Sequence, residues 1–195
     1  LAYGETRVPN LISATDQQSH TLLRLLCGLL SADGVPAVED KIFVQAVEFW
    51  STYVECLADE ASSQALGADV PTNSSVSFAL EAVSHGWQRI PFPPSSESGS
   101  WDMAERAGFV EARKEFADLL QSTFALTGPQ IVFKFSELVV TSLATSSWTR
   151  LEGSAFCLGS LAECIKDDLR CDEALFSVFS SPLFSTIQRT GSNLP

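Results

Sequence analysis

Five cysteines, two histidines and twenty-four carboxylates are the side chains through which this 195-residue chain could do chemistry. Cys157 and Cys164 stand two helical turns apart and would share a helix face. Both lie among apolar residues, however, and no histidine stands near them in sequence to activate a thiolate. Cys27, Cys56 and Cys171 complete an odd set with no Cys-x-x-Cys pair. Such a set reads as reduced thiols packed as small hydrophobes in an intracellular protein. The chain has no Gly-x-Gly-x-x-Gly, phosphate-binding loop, His-Glu-x-x-His or calcium-binding loop. No catalytic, cofactor-binding or metal-ligating residue is therefore assigned, and the expectation is a protein that binds rather than catalyses.

The carboxylates offer a different chemistry. Acidic residues outnumber the 12 basic ones two to one, giving a formal charge of −12. Direct nucleic-acid binding is excluded as an expectation, because it needs clustered Lys and Arg. A negative surface attracts basic partners and speeds their encounter, although it also serves simply to keep a protein soluble. Between Lys41 and Arg89 there is no basic residue except His85, while Glu48, Glu55 and Asp59 recur at helical spacing. These three are the leading candidates for protein interaction. Glu111, Glu115 and Asp118 form a second set on the same reasoning. Either set could equally be an ordinary solvated face.

The elements carrying them read as helices, since no strand-like alternation persists. The periodicity predicts helices over about 15–31, 38–61, 75–89, 102–126, 129–144, 148–168 and 172–189, the last broken near Pro182. Asp16 or Thr15 can cap the first. In the second, Ile42, Ala46, Phe49, Trp50, Tyr53 and Leu57 form an apolar stripe opposite the carboxylates. Gly34-Val35-Pro36 and Gly128-Pro129 punctuate the pattern, and the prolines and serines of 91–101 read as an exposed loop. Trp50, Trp87 and Trp148 are expected to fill helical interiors, and Trp101 to pack at the loop edge. No apolar run reaches the roughly 18 residues of a membrane span, so no membrane insertion is expected. The fold class is all-α. Paired antiparallel helices suit a solenoid of HEAT-like hairpins, while periodicity alone fits a compact bundle as well.

Three stretches carry a family resemblance. Residues 41–53, with the Phe49-Trp50 pair, look like a repeat-closing helix of importin-β-type receptors. Residues 113–120, a basic residue, an aromatic and an Asp before apolar residues, resemble a second. Residues 147–163, with Trp148, Leu151-Glu152 and Ala162-Glu163, resemble a third, although Gly153 and Ser154 stand where alanines are commoner. The sequence thus resembles the importin-β (karyopherin) superfamily of nuclear transport receptors over nearly its whole length, and most closely the SR-protein transportin branch.

That resemblance implies an α-solenoid with a right-handed superhelix, a single segment of middle repeats. Its approximate hairpins would be 15–61, 75–126 and 129–168, with 172–189 starting a further repeat. It also implies basic protein cargo on an acidic concave surface, phenylalanine–glycine nucleoporins, and the GTPase Ran, engaged mainly through repeats absent from this segment. Shuttling between nucleus and cytoplasm is the implied location, and a general α-solenoid adaptor without Ran dependence is the alternative.

Overall fold

The computed structural model describes residues 7–64 and 73–183. The protein is all-α. Its helices are α1 (Val8–Ile12), α2 (Gln17–Leu29), α3 (Ile42–Gln64), α4 (Asn73–Gly86), α5 (Ser95–Ser98), α6 (Met103–Thr127), α7 (Gln130–Ala144), α8 (Trp148–Ser160), α9 (Ala162–Ile165) and α10 (Asp172–Phe179).

Local sequence explains the boundaries. Asp16, rather than Thr15, caps α2, its carboxylate accepting from the Gln18 and Ser19 N–H groups. The second helix starts later than its pattern suggests, because residues 35–40 close a turn in which Ala37 takes φ 62°. Asp40 then caps α3 through the Ile42 and Phe43 N–H groups at 2.8 and 3.2 Å. Asp102 and Glu105 form a reciprocal capping box at the start of α6. Gly128 ends α6 at φ 61°, a conformation glycine adopts without strain, and Pro129 begins the next helix at once. The expected helix over 148–168 breaks at Leu161 into α8 and α9. The predicted final helix is seen as α10, ending at Phe179, and its part beyond residue 183 lies outside the described residues. The sequence reading missed two short pieces, α1 and the turn of helix α5 inside the 91–101 loop.

The helices stack in two layers. In one, α2 packs on α4 and α7 on α10. Contacts of Lys134 with Ser84, and of Phe135 with Trp87 in the turn just after α4, join α4 to α7. In the other layer α1 packs on α3, α3 on α6, and α6 on α8. Helices of one layer alternate along the chain with those of the other, as in a solenoid of helical hairpins.

Side-chain size sets the spacing of the layers. A Cβ on Gly86 would stand 2.3 Å from Cε2 of the fully buried Phe116, so only glycine lets α4 approach α6 this closely. Gly153 plays the same part for the proline loop, since a Cβ there would meet Cγ of Pro91 at 2.7 Å. The 91–101 segment is largely exposed, as expected, but it is anchored as a strap rather than free. Its Phe92 and Trp101 rings lie 5.1 and 5.3 Å from that of Phe109.

The expected apolar faces need two corrections. Trp148 is 51% exposed and fills no interior, and Ile42 is 45% exposed. The buried arc of α3 runs through Phe43, Ala46, Val47, Trp50, Tyr53, Val54 and Leu57, which leaves Ile42 at its edge.

Candidate interaction surface

Glu48, Glu55 and Asp59 sit on the exposed side of α3, opposite the buried arc. Glu111 and Asp118 are exposed on α6 and Glu115 is half-buried. Because α3 and α6 are neighbours in one layer, both sets belong to that layer's outer face.

Register decides how they combine. Phe43 lies against Phe116, with ring centroids 6.4 Å apart, and a Cβ on Gly108 would touch Ala37 at 3.6 Å. The two helices therefore run parallel, and Phe43 is level with Phe116. Along the common axis the order is Glu111, Glu115, Asp118, Glu48, Glu55, Asp59. The triplets are not side by side. They form a staggered ribbon in which one set continues where the other ends.

The two halves of the ribbon differ electrostatically. Lys114 sits within the α6 set, its Nζ 3.0 Å from Glu111 Oε1. The hydrogen bond it donates to Glu111, then the charges of Glu111, Asp118 and Glu115, hold this ammonium above the usual lysine range. On α3 itself no Lys or Arg lies between Glu48 and Asp59. This half encloses instead the half-buried thiol of Cys56. Burial raises that thiol's pKa, and the charges of Asp59, Glu55 and Glu60 raise it further. Among the described residues neither Glu48 nor Glu55 forms a salt bridge.

Cys56 is thus a built-in reporter of the ribbon's field. Replacing Glu55 and Asp59 by Gln and Asn removes charges that oppose the thiolate, so its pKa should fall. Alkylation of Cys56 by iodoacetamide at pH 8 should accelerate by about two- to fivefold, the size of a fractional-unit pKa change. An unchanged rate would mean that the carboxylates do not cluster around the thiol. Cys27 should stay inert throughout, because burial, then the Glu81 charge, pushes its pKa up to about 12.

Two exposed apolar side chains of these helices were not found from sequence. Ile42 begins α3, and Val110, 50% exposed, precedes Glu111 on α6. The Asp40 cap was the one available signal, since it puts Ile42 in the first helical turn. Among the described residues no group of three or more His, Cys, Asp or Glu could hold a metal ion, and no helix is long and apolar enough to cross a membrane.

The arrangement suits binding along an extended, negatively charged helical face. The chain is 28% identical over 173 residues to an importin beta-like protein, kap111, of Schizosaccharomyces pombe. The similarity supports the importin-β superfamily. The match covers 86% of this chain but only 17% of the length of kap111. No family model and no solved structure matches. Against the importin-like pattern of residues 147–163, the structure gives the two departures from alanine distinct surroundings. Gly153 admits Pro91, and Ser154 is buried with its hydroxyl donating to the Leu151 carbonyl at 3.2 Å.

Proposed function

We infer that this chain is a segment of a karyopherin-type nuclear transport receptor, and that its acidic ribbon is a docking face for basic protein cargo. The supporting observation is the ribbon itself, two carboxylate triplets brought into axial sequence on one layer of an importin-like helical stack. Complementary charge would speed encounter, while exposed apolar side chains of the same helices, Ile42 and Val110, offer contacts that slow dissociation. In the whole protein, release would follow from Ran in its GTP form, engaged mainly through repeats outside this chain. Ran would favour a solenoid curvature that holds cargo less well. Phenylalanine–glycine nucleoporins would carry the receptor between cytoplasm and nucleus. Kinship to the SR-protein transportin branch, and the placing of the ribbon on a concave side, belong to this proposal.

Two measurements test it. The full-length protein should retain Ran loaded with GTP and not with GDP. Retention of neither, by a folded sample, would favour an α-solenoid adaptor without Ran dependence. Changing Glu48 and Glu55 to Gln and Asp59 to Asn should weaken a basic cargo by about 3- to 150-fold at low salt. That follows from three exposed pairs worth roughly 0.2–1 kcal/mol each. The loss should shrink at high salt as screening takes over. An unchanged affinity at low salt would remove the ribbon from cargo binding.

A further inference from the structure

The opposite layer carries a second candidate site, independent of the ribbon. Between α7 and α10 runs a groove of about 350 Å³, near the lower end of the range for ligand clefts. Phe133, Val140 and Ala174 give it apolar walls. Phe133 remains 42% exposed there, although α7 otherwise buries its aromatic Phe135 completely.

Two polar features break the apolar lining. Ser136 lines the groove with only 1% of its surface exposed, and its hydroxyl has no hydrogen-bond partner among the described residues. A buried hydroxyl without a protein partner is completed by a water or by a bound group, so Ser136 has a donor to offer a ligand in the groove. The other feature is a carboxylate on each side, Glu137 from α7 and Glu173 from α10, both exposed. Neither forms a salt bridge among the described residues. Lys134, one turn before Glu137, does not neutralise it, because its Nζ is bound to Ser84 Oγ on α4.

We propose that this groove docks a short peptide segment of a partner protein in which one large apolar side chain is flanked by Lys or Arg. The apolar side chain lies between Phe133, Val140 and Ala174. A peptide carbonyl beside it accepts from Ser136 Oγ, and the flanking cations meet Glu137 and Glu173. The volume admits one such side chain rather than a helix, so the recognised unit is an extended stretch of a few residues.

The probe is a rhodamine-labelled peptide of sequence Lys-Lys-Leu-Phe-Lys-Lys, titrated by fluorescence anisotropy into the full-length protein. Ser177, exposed at the groove, gives a substitution that fills it without touching the core. Ser177→Phe should weaken binding at least about tenfold. Glu137→Gln with Glu173→Gln should weaken it about three- to tenfold and flatten its salt dependence. Ser136→Ala should lower affinity a few-fold while leaving the free protein no less stable.

Unchanged binding by Ser177→Phe would overturn the proposal. So would equally tight binding of Ser-Ser-Leu-Phe-Ser-Ser, of a phenylalanine–glycine peptide without basic residues, or of Lys-Lys-Ser-Ser-Lys-Lys. The ribbon variants of Glu48, Glu55 and Asp59 should leave this binding intact. If they abolish it instead, the peptide sits on the ribbon, and the groove assignment fails while the cargo reading stands.

Discussion

Replacing Trp50 by alanine should destabilise the protein by about 3–5 kcal/mol, the range for emptying a fully packed aromatic site. The ring is completely buried and is contacted edge-on by Phe49 and Tyr53 at 5.3 and 5.1 Å. Its indole N–H reaches the Leu26 carbonyl of α2 at 3.4 Å. At that point the last turn of α2 tightens, with the Leu30 N–H on the Cys27 carbonyl, so the indole covers a helix-end acceptor. Tyr53, one turn on, reaches the Ser75 carbonyl at 3.4 Å. The aromatic row of α3 thereby joins α2 to α4, and alanine at 50 loosens both contacts together. Trp148→Ala is the matched control. That ring is 51% exposed, and its loss should cost less than about 1 kcal/mol. Urea unfolding followed by circular dichroism separates the two. Equal losses would mean that Trp148 packs in the interior after all.

That contrast shows what sequence pattern can and cannot carry. Trp50 and Trp148 each lie in or beside an apolar stripe, and both resemble tryptophans of the importin-like pattern. Trp50 lies mid-helix, where the apolar arc is flanked on both sides by neighbouring helices. Trp148 opens its helix straight after Ser147, beyond the reach of the facing layer. Periodicity fixes the face of a residue but not whether another helix extends far enough to cover it. The boundaries set by Asp16, Asp102 and Gly128 were legible because each satisfies a local requirement of the helix end. The axial stagger of the two carboxylate sets was not, because it depends on the meeting of Phe43 and Phe116. Ser136 and its groove were equally hidden, since the groove forms only where α10 settles on α7. The strap over 91–101 read as an exposed loop, which most of it is, but its anchoring was hidden, because Arg113 and Glu152 come from two later helices.

Those anchors make the second large prediction. Arg113 is 7% exposed, an unusual place for a guanidinium. It donates to the Ile90 carbonyl at 2.8 Å and to Glu152 Oε1 at 2.7 Å, and its Cζ lies 4.0 Å from the centroid of Phe156 and 5.1 Å from that of Phe92. Glu152 in turn accepts from the Phe92 N–H at 2.9 Å. One guanidinium thus ties the strap, α6 and α8 together. Removing one partner of a buried pair costs about 3–5 kcal/mol. The Glu152 side chain is 40% exposed and can regain water, so Arg113→Met should fall nearer about 2–3 kcal/mol. Hydrogen exchange at the Phe92 amide should quicken with it. Glu152→Gln keeps an oxygen for Phe92 but leaves the buried guanidinium without its carboxylate, and should cost about 2–3 kcal/mol as well. Arg113→Lys is the decisive variant. Lysine keeps the charge but cannot present two coplanar donors while stacking on Phe156. If the planar fork holds the strap, lysine should behave almost like methionine. A lysine variant as stable as the wild type would show that charge alone is enough.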